Sequence, residues 1–169
     1  NATTPVDPEV LEAMLPYFGE WFGNPSSVHA FGREAREGVE TAREQIAHFL
    51  RTGKEEIVFT SGGTESDNMA VKGVAQARRT GHIITSQIEH HAVLRAVQHL
   101  ETLGFEATYV PVDAHGMVDP DDVRRALRPD TVLISIMHAN SEVGTIQPVG
   151  EIGRLARERG IPFHVDGVQ

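Results

Sequence analysis

The chain has 169 residues, 40% of them hydrophobic and 23% charged, a composition that suits about one folded domain and excludes disorder as the main state. With 24 acidic against 15 basic residues the net charge is -9, and no basic block offsets it, so nucleic acid is excluded as an expected partner. There is no Cys, which removes disulfides and thiolate chemistry from these residues, and the longest apolar run, 131–137, is far short of the ~20 residues that span a bilayer, so no membrane is expected and the cytoplasm is the expected location.

Taken in chain order, the apolar spacing predicts a first helix over 8–18, with Val10, Leu11, Met14 and Leu15 on one face and Asp7 as its N-cap. A loop of Gly, Asn, Pro and Ser follows at 23–27. A long amphipathic helix is expected over 32–50, its stripe formed by Val39, Ala42, Ile46, Phe49 and Leu50, and Thr52-Gly53 ends it. Five short runs rich in β-branched residues come next, at 57–60, 82–86, 107–112, 131–138 and 162–166. Between them lie helical patterns at 64–79, 89–103, 120–127 and 149–159. Strands alternating with helices at this spacing predict an α/β fold, a three-layer arrangement of a mainly parallel sheet with helices on both faces. The division expected is an N-terminal segment, 1–20, followed by one larger domain, 21–169. Opening without Met and stopping after a strand-like run, the chain reads as a fragment.

In such a sheet, ligands sit outside the carboxyl ends of the strands, so the residues trailing each strand are the candidates for chemistry. After the first strand the sequence runs Thr60-Ser61-Gly62-Gly63-Thr64-Glu65-Ser66-Asp67 into a helix. The glycines allow a sharp turn, and the helix-start N–H groups with the Ser61 and Thr64 hydroxyls can cradle a phosphate. The plainer alternative is that Thr64 caps the helix with Asp67 as its capping-box partner. No Lys-Ser or Lys-Thr follows the glycines and there is no G-x-G-x-x-G, which argues against a nucleotide. After the second strand, Glu89-His90-His91 opens a helix. Either imidazole can offer a stacking face or an acid/base group, but neighbours on a helix diverge by roughly 100°, so the two are poorly placed to share a metal. Asn140-Ser141 after the fourth strand are hydrogen-bonding candidates and also ordinary turn residues. In the fifth strand His164 and Asp166 share a face, and a carboxylate at such a strand end can hold a protonated ring nitrogen. Asp166 can equally be read as a residue that starts a loop, and a His-x-Asp pair is half of an iron site that needs a distal His.

In this order, the segments ATTPVDPEV, GNPSSVHAFG, EIVFTSGGTESDN, HIITSQIEHHAV, SIMHANSEVGTIQPV and HVDGVQ resemble the N-terminal part of a cysteine desulfurase, a pyridoxal-phosphate enzyme of the aspartate aminotransferase fold. The resemblance implies that residues 21–169 are the N-terminal part of the cofactor-binding large domain. It implies that Gly63 and Thr64 belong to the phosphate cup, that His90 stacks on the pyridine ring as the catalytic histidine, that Asp166 partners the pyridine nitrogen and that Gln169 donates to the ring hydroxyl oxygen. The family commonly has two consecutive Asn where this chain has Asn140-Ser141, so both are candidate cofactor contacts and no metal is implied. The implied activity removes sulfur from L-cysteine to give L-alanine and an enzyme persulfide, for iron–sulfur assembly or thiolation. The implied partners are a sulfur-acceptor protein and a second copy of the chain. Family members carry the cofactor-bearing Lys, the sulfur-accepting Cys and a carboxylate-binding Arg beyond the point matching Gln169, and neither Lys54 nor Lys72 matches that Lys, so residues 1–169 by themselves are expected to be inactive. A selenocysteine lyase, another class V aminotransferase relative and a non-catalytic truncated module are the alternatives.

Overall fold

In the computed structural model, which describes residues 3–169, Pro16 divides the helix expected over 8–18. Pro has no N–H to continue the ladder, and the segment becomes α1 (Pro8–Met14) and a single turn, α2 (Pro16–Gly19). Asp7 caps α1 as expected, its Oδ1 accepting from the Glu9 N–H at 2.9 Å. The long helix, α3 (Ala30–Leu50), starts earlier than expected because the His29 ring serves as its cap, Nδ1 accepting from the Gly32 N–H at 3.3 Å. It ends at Arg51, which adopts a left-handed φ of 56°. These elements, with a tight turn at Lys54–Glu56, form one compact unit, Thr3–Phe59. The expected division after residue 20 is not where the described chain divides. Gly38 of α3 lies so close to Tyr17 of α2 that a Cβ there would be 2.6 Å from the phenol oxygen, which ties α3 to the N-terminal helices.

The run 57–60 is not a strand, contrary to expectation. An extended segment becomes a strand only by pairing, and among the described residues it has no partner. The Ile57 carbonyl instead accepts from the Arg43 guanidinium, and Arg43 also sits 4.9 Å from the Phe59 ring centre.

The second unit, Thr60–Gln169, carries the sheet. It comprises α4 (Gly63–Arg78), β1 (His82–Ser86), α5 (His91–Thr102), β2 (Glu106–Val110), α6 (Pro120–Ala126), β3 (Thr131–Ser135), α7 (Val149–Glu158) and β4 (Phe163–His164). The four strands are all parallel in the order β2-β1-β3-β4, as the alternation predicts. Gly81 sets the start of β1: its φ is +145°, and a Cβ there would lie 2.5 Å from Val132 Cγ1. Ile83 and Ile84 of β1 point to opposite faces. Ile83 and Leu133 are buried with Val71 and Ala75 of α4 and Val93, Val97 and Leu100 of α5. Ile84, Ile134 and Ile136 are buried with Val123 of α6 and Ile152 and Leu155 of α7. Helices therefore cover both faces, giving the three layers.

From β1 the chain crosses to β2 on one side, and from β3 it crosses to β4 on the other. The crevice between the carboxyl ends of β1 and β3 is thus the switch point at which α/β sheets bind ligands. The β3–β4 ladder continues past the strands, through the His138 N–H to the Asp166 carbonyl at 2.8 Å, and this brings Asp166 beside that crevice.

Candidate functional site

A cavity of about 240 Å³ opens at this switch point, lined by Gly63, Thr64 and Asp67 of α4, His90 before α5, Met137, Ala139 and Ser141 after β3, and Asp166, Val168 and Gln169 after β4. Of the residues singled out from the sequence, Gly63, Thr64, His90, Ser141, Asp166 and Gln169 are brought together here. Asn140 is not. Its side chain organises the loop, Oδ1 accepting from the Glu142 and Val143 N–H groups at 2.9 and 3.0 Å while Nδ2 donates to the Ile88 carbonyl at 3.1 Å.

Thr64 is not the cap of α4. Gly62 occupies that position, and Glu65 reaches back to accept from the Ser61 N–H and hydroxyl at 2.7 and 2.6 Å, which holds its carboxyl below the usual range. The N–H groups of Gly63 and Thr64 lie in the first turn, where a helix offers no carbonyl to accept from them, so they remain available to an anion. The Thr64 hydroxyl has no partner among the described residues. At Gly63 a Cβ would come within 2.8 Å of Val168 Cγ2, both residues lining the cavity, so a side chain would crowd this cradle.

His90 caps α5, its Nδ1 accepting from the Ala92 N–H at 3.1 Å, which fixes the ring at the cavity wall. His91 is the first residue of α5 and lines a neighbouring cavity instead. Asp166 is buried, 8% exposed, and its Oδ1 accepts from the Val168 N–H at 3.0 Å in a turn, leaving Oδ2 as the second acceptor. The carboxylate therefore both starts the loop and faces the cavity.

Three further groups stand behind these, of which the sequence offers Asp67 only as a capping-box partner, His164 only as sharing a face with Asp166, and Glu89 no role. Asp67 is buried, and its carboxyl is pushed up to about 6 by burial and then by the Asp166 charge, with His90 opposing. His164 stands behind it, Nε2 3.5 Å from Asp67 Oδ1 and Nδ1 2.8 Å from Ser135 Oγ. Burial lowers the His164 imidazole below its usual range, against the pull of Asp166. Glu89 is buried between the ends of β1 and β3. The strand alternation signals His164, which shares a face with Asp166. Nothing local marks Asp67 or Glu89, because both read as ordinary helix-start acids. Among the described residues no group of three or more His, Asp or Glu is arranged to hold a metal, and no helix is long and apolar enough to cross a membrane.

The family model for aminotransferase class V matches residues 1–169. The cysteine desulfurase IscS of Dictyoglomus turgidum is 61% identical over 99% of this chain and 43% of its own length. The cysteine desulfurase IscS of Methanosarcina thermophila is 58% identical over all of this chain and 42% of its own. Among solved structures, one described as SspA in complex with cysteine superposes with a TM-score of 0.92 at 46% identity, covering 97% of this chain and 48% of that one. A NifS-like protein superposes at 0.93 with 45% identity, covering 99% and 47%. The chain thus spans less than half the length of the relatives it matches.

Proposed function

We propose that this chain, which belongs to the aminotransferase class V family, supplies the pyridoxal-phosphate cradle of a cysteine desulfurase. The observation that carries the reading is the convergence of Thr64, His90 and Asp166, from three separate connections of the sheet, on one cavity. The donor set fits the cofactor from end to end. The free N–H groups of Gly63 and Thr64 with the Thr64 hydroxyl hold the phosphate ester. The His90 ring, fixed by its capping bond, lies against the pyridine face. Asp166 accepts from the ring nitrogen and keeps it protonated, with Gln169 donating to the ring hydroxyl oxygen and Ser141 offering its hydroxyl from the loop after β3. When bound, the cofactor supplies an electron sink for the bonds at the α-carbon of an amino acid. The residues of this chain bind it, orient it and hold its proton. Lys72, carried by α4, is not among the residues that line the cavity.

Relatives named cysteine desulfurase and a structure described as holding cysteine support L-cysteine as substrate, with L-alanine as product and sulfur passed to an acceptor protein. A homodimer and a cytoplasmic location belong to the same reading.

The test is titration of pyridoxal phosphate against the full chain by absorbance. Asp166→Ala removes a charge-assisted bond and weakens binding by roughly 10- to 100-fold. His90→Asn keeps a capping acceptor but loses the ring, and weakens binding several-fold, about 0.5–1.5 kcal/mol. Unchanged affinity in both variants would end the reading.

A further inference from the structure

Glu89 has no part in the cradle as described, yet it is the most conspicuously placed acid in the molecule. It is 4% exposed. Its Oε1 accepts from the Ser86 hydroxyl at 2.5 Å and from the Met137 N–H at 3.0 Å. Its Oε2 is sealed from solvent and has no partner among the described residues. Ser86 is the last residue of β1, and Met137 lies just past β3. The two donors therefore sit on the two strands that frame the switch point, and one carboxyl oxygen joins them.

The surroundings are anionic. Asp67 comes from α4 and Asp166 from the segment after β4, and the charges of both oppose ionisation of Glu89. The imidazoles of the region are engaged elsewhere: His90 acts on Asp67, and His164 faces Asp67 and Asp166. No Lys or Arg lines this cavity or the neighbouring one that Glu89 borders. An ionised carboxylate with one bare, dry oxygen beside two other carboxyls would be an uncompensated buried charge. A proton on that oxygen removes the difficulty, and Oε1 keeps both of its bonds.

We propose that Glu89 is a positioning residue that works as a neutral carboxylic acid, its Oε1 clamping the ends of β1 and β3 while its Oε2 carries the proton. The clamp then fixes the two walls that present His90 and Ser141 without adding a charge to a cavity whose designated anion is Asp166. Burial, ahead of the bonds to Ser86 and Met137 that oppose it, pushes the carboxyl up to about 7, in keeping with this assignment. A carboxyl raised above its unfolded value near 4.5 holds its proton longer in the folded state, so folding loses stability as pH climbs from about 4.5 through about 7.

Glu89→Gln and Glu89→Ala in the full chain test the proposal. Glu89→Gln preserves the acceptor and mimics the neutral acid. It is expected to abolish an infrared carbonyl band of a buried protonated carboxyl that the unsubstituted protein shows at pH 6. It is also expected to flatten the pH profile of unfolding, in which the unsubstituted protein's unfolding constant rises by up to about tenfold per pH unit more steeply than the variant's between pH 5 and 7. Asp67, also raised, contributes to both curves and cancels in the comparison. Pyridoxal-phosphate affinity, the one arm that rests on the proposed function, stays within about threefold in Glu89→Gln and falls about tenfold or more in Glu89→Ala. Identical infrared bands and parallel pH profiles in the unsubstituted and Gln proteins would show an ionised Glu89 and overturn the proposal, whether or not the Ala variant folds. A protein that shows the band and the slope but binds no pyridoxal phosphate would sink the functional reading and leave the clamp standing.

Discussion

The two ends of β1 are built from the same material, buried polar side chains, and use it in opposite ways. At the amino end His82 is fully buried between two hydroxyls, Nδ1 3.0 Å from Thr131 Oγ1 on β3 and Nε2 2.8 Å from Thr108 Oγ1 on β2. A neutral imidazole has one donor and one acceptor, and a hydroxyl can answer either, so both tautomers are satisfied and the ring pins three strands together. At the carboxyl end the polar groups exceed their partners. Glu89 Oε2 is bare, the Thr64 hydroxyl is free among the described residues, and Asp67 and Asp166 repel one another. Complete pairing serves to hold strands in register. A deficit, concentrated where the strands end, is what a ligand can make good.

The largest expected effect would break this contrast at its satisfied end. His82→Ala removes a buried ring, leaves the Thr108 hydroxyl without this partner and leaves Thr131 Oγ1 with the Arg128 N–H alone, and should cost roughly 3–5 kcal/mol of stability in chemical denaturation. The affinity of the folded protein for pyridoxal phosphate should stay within about twofold. A loss under about 0.5 kcal/mol, the range of surface substitutions, would mean that the ring does not pin the strands.

The two ends should also answer pH with opposite sign. Burial holds the His82 imidazole below its usual value, with Arg128 adding to the effect. Its stabilising effect is therefore complete above the unfolded value near 6.5 and is lost as pH falls below it, by at most about 1.4 kcal/mol per pH unit. Asp67 and Glu89, raised to about 6 and about 7, take stability away as pH rises. A His82→Gln variant should thus keep the loss on the alkaline side and shed the His82 share of the loss on the acid side, that of His164 remaining. Comparing unfolding midpoints of the two proteins from pH 5 to 8 checks this, and matching acid limbs would refute it.

How much of this was legible in the sequence follows the range of the physics involved. The strand at 82–86 was read to the residue, because near-continuous β-branched burial is a local signal. The helix start at Gly63 and Thr64 and the placement of His164 and Asp166 on one face are also legible, since both depend on period and turn chemistry alone. The run 57–60 looked equally strand-like, but a strand is a pair, and its neighbours in sequence do not supply one. The break at Pro16 was written in the sequence and overlooked. The stripe expected on α3 is present as a pattern, yet Phe49 and Leu50 at its end are exposed among the described residues, because period shows which face is apolar and not what covers it. The buried character of Asp67 and Glu89 is not legible in the sequence. Their character comes from burial and from each other, and residues 22 apart in sequence announce neither.

The smallest expected effect separates two adjacent residues that the sequence left tied. Asn140 and Ser141 are both polar, both in the loop after β3, and consecutive residues cannot present their side chains to the same place. The structure turns the Asn140 amide inward, on Ile88, Met137, Glu142 and Val143, and puts Ser141 on the cavity wall. Ser141→Ala should therefore weaken pyridoxal-phosphate binding by roughly 3- to 10-fold, the worth of one hydrogen bond, with the unfolding midpoint unmoved. Asn140→Ala should show the reverse order of effects, lowering stability through the released loop, with affinity falling only as the loop loosens. Should Asn140→Ala instead abolish binding while stability holds, the side chain must turn toward the ligand, and the division between a satisfied scaffold and an unsatisfied site would fail at the one loop where the two meet.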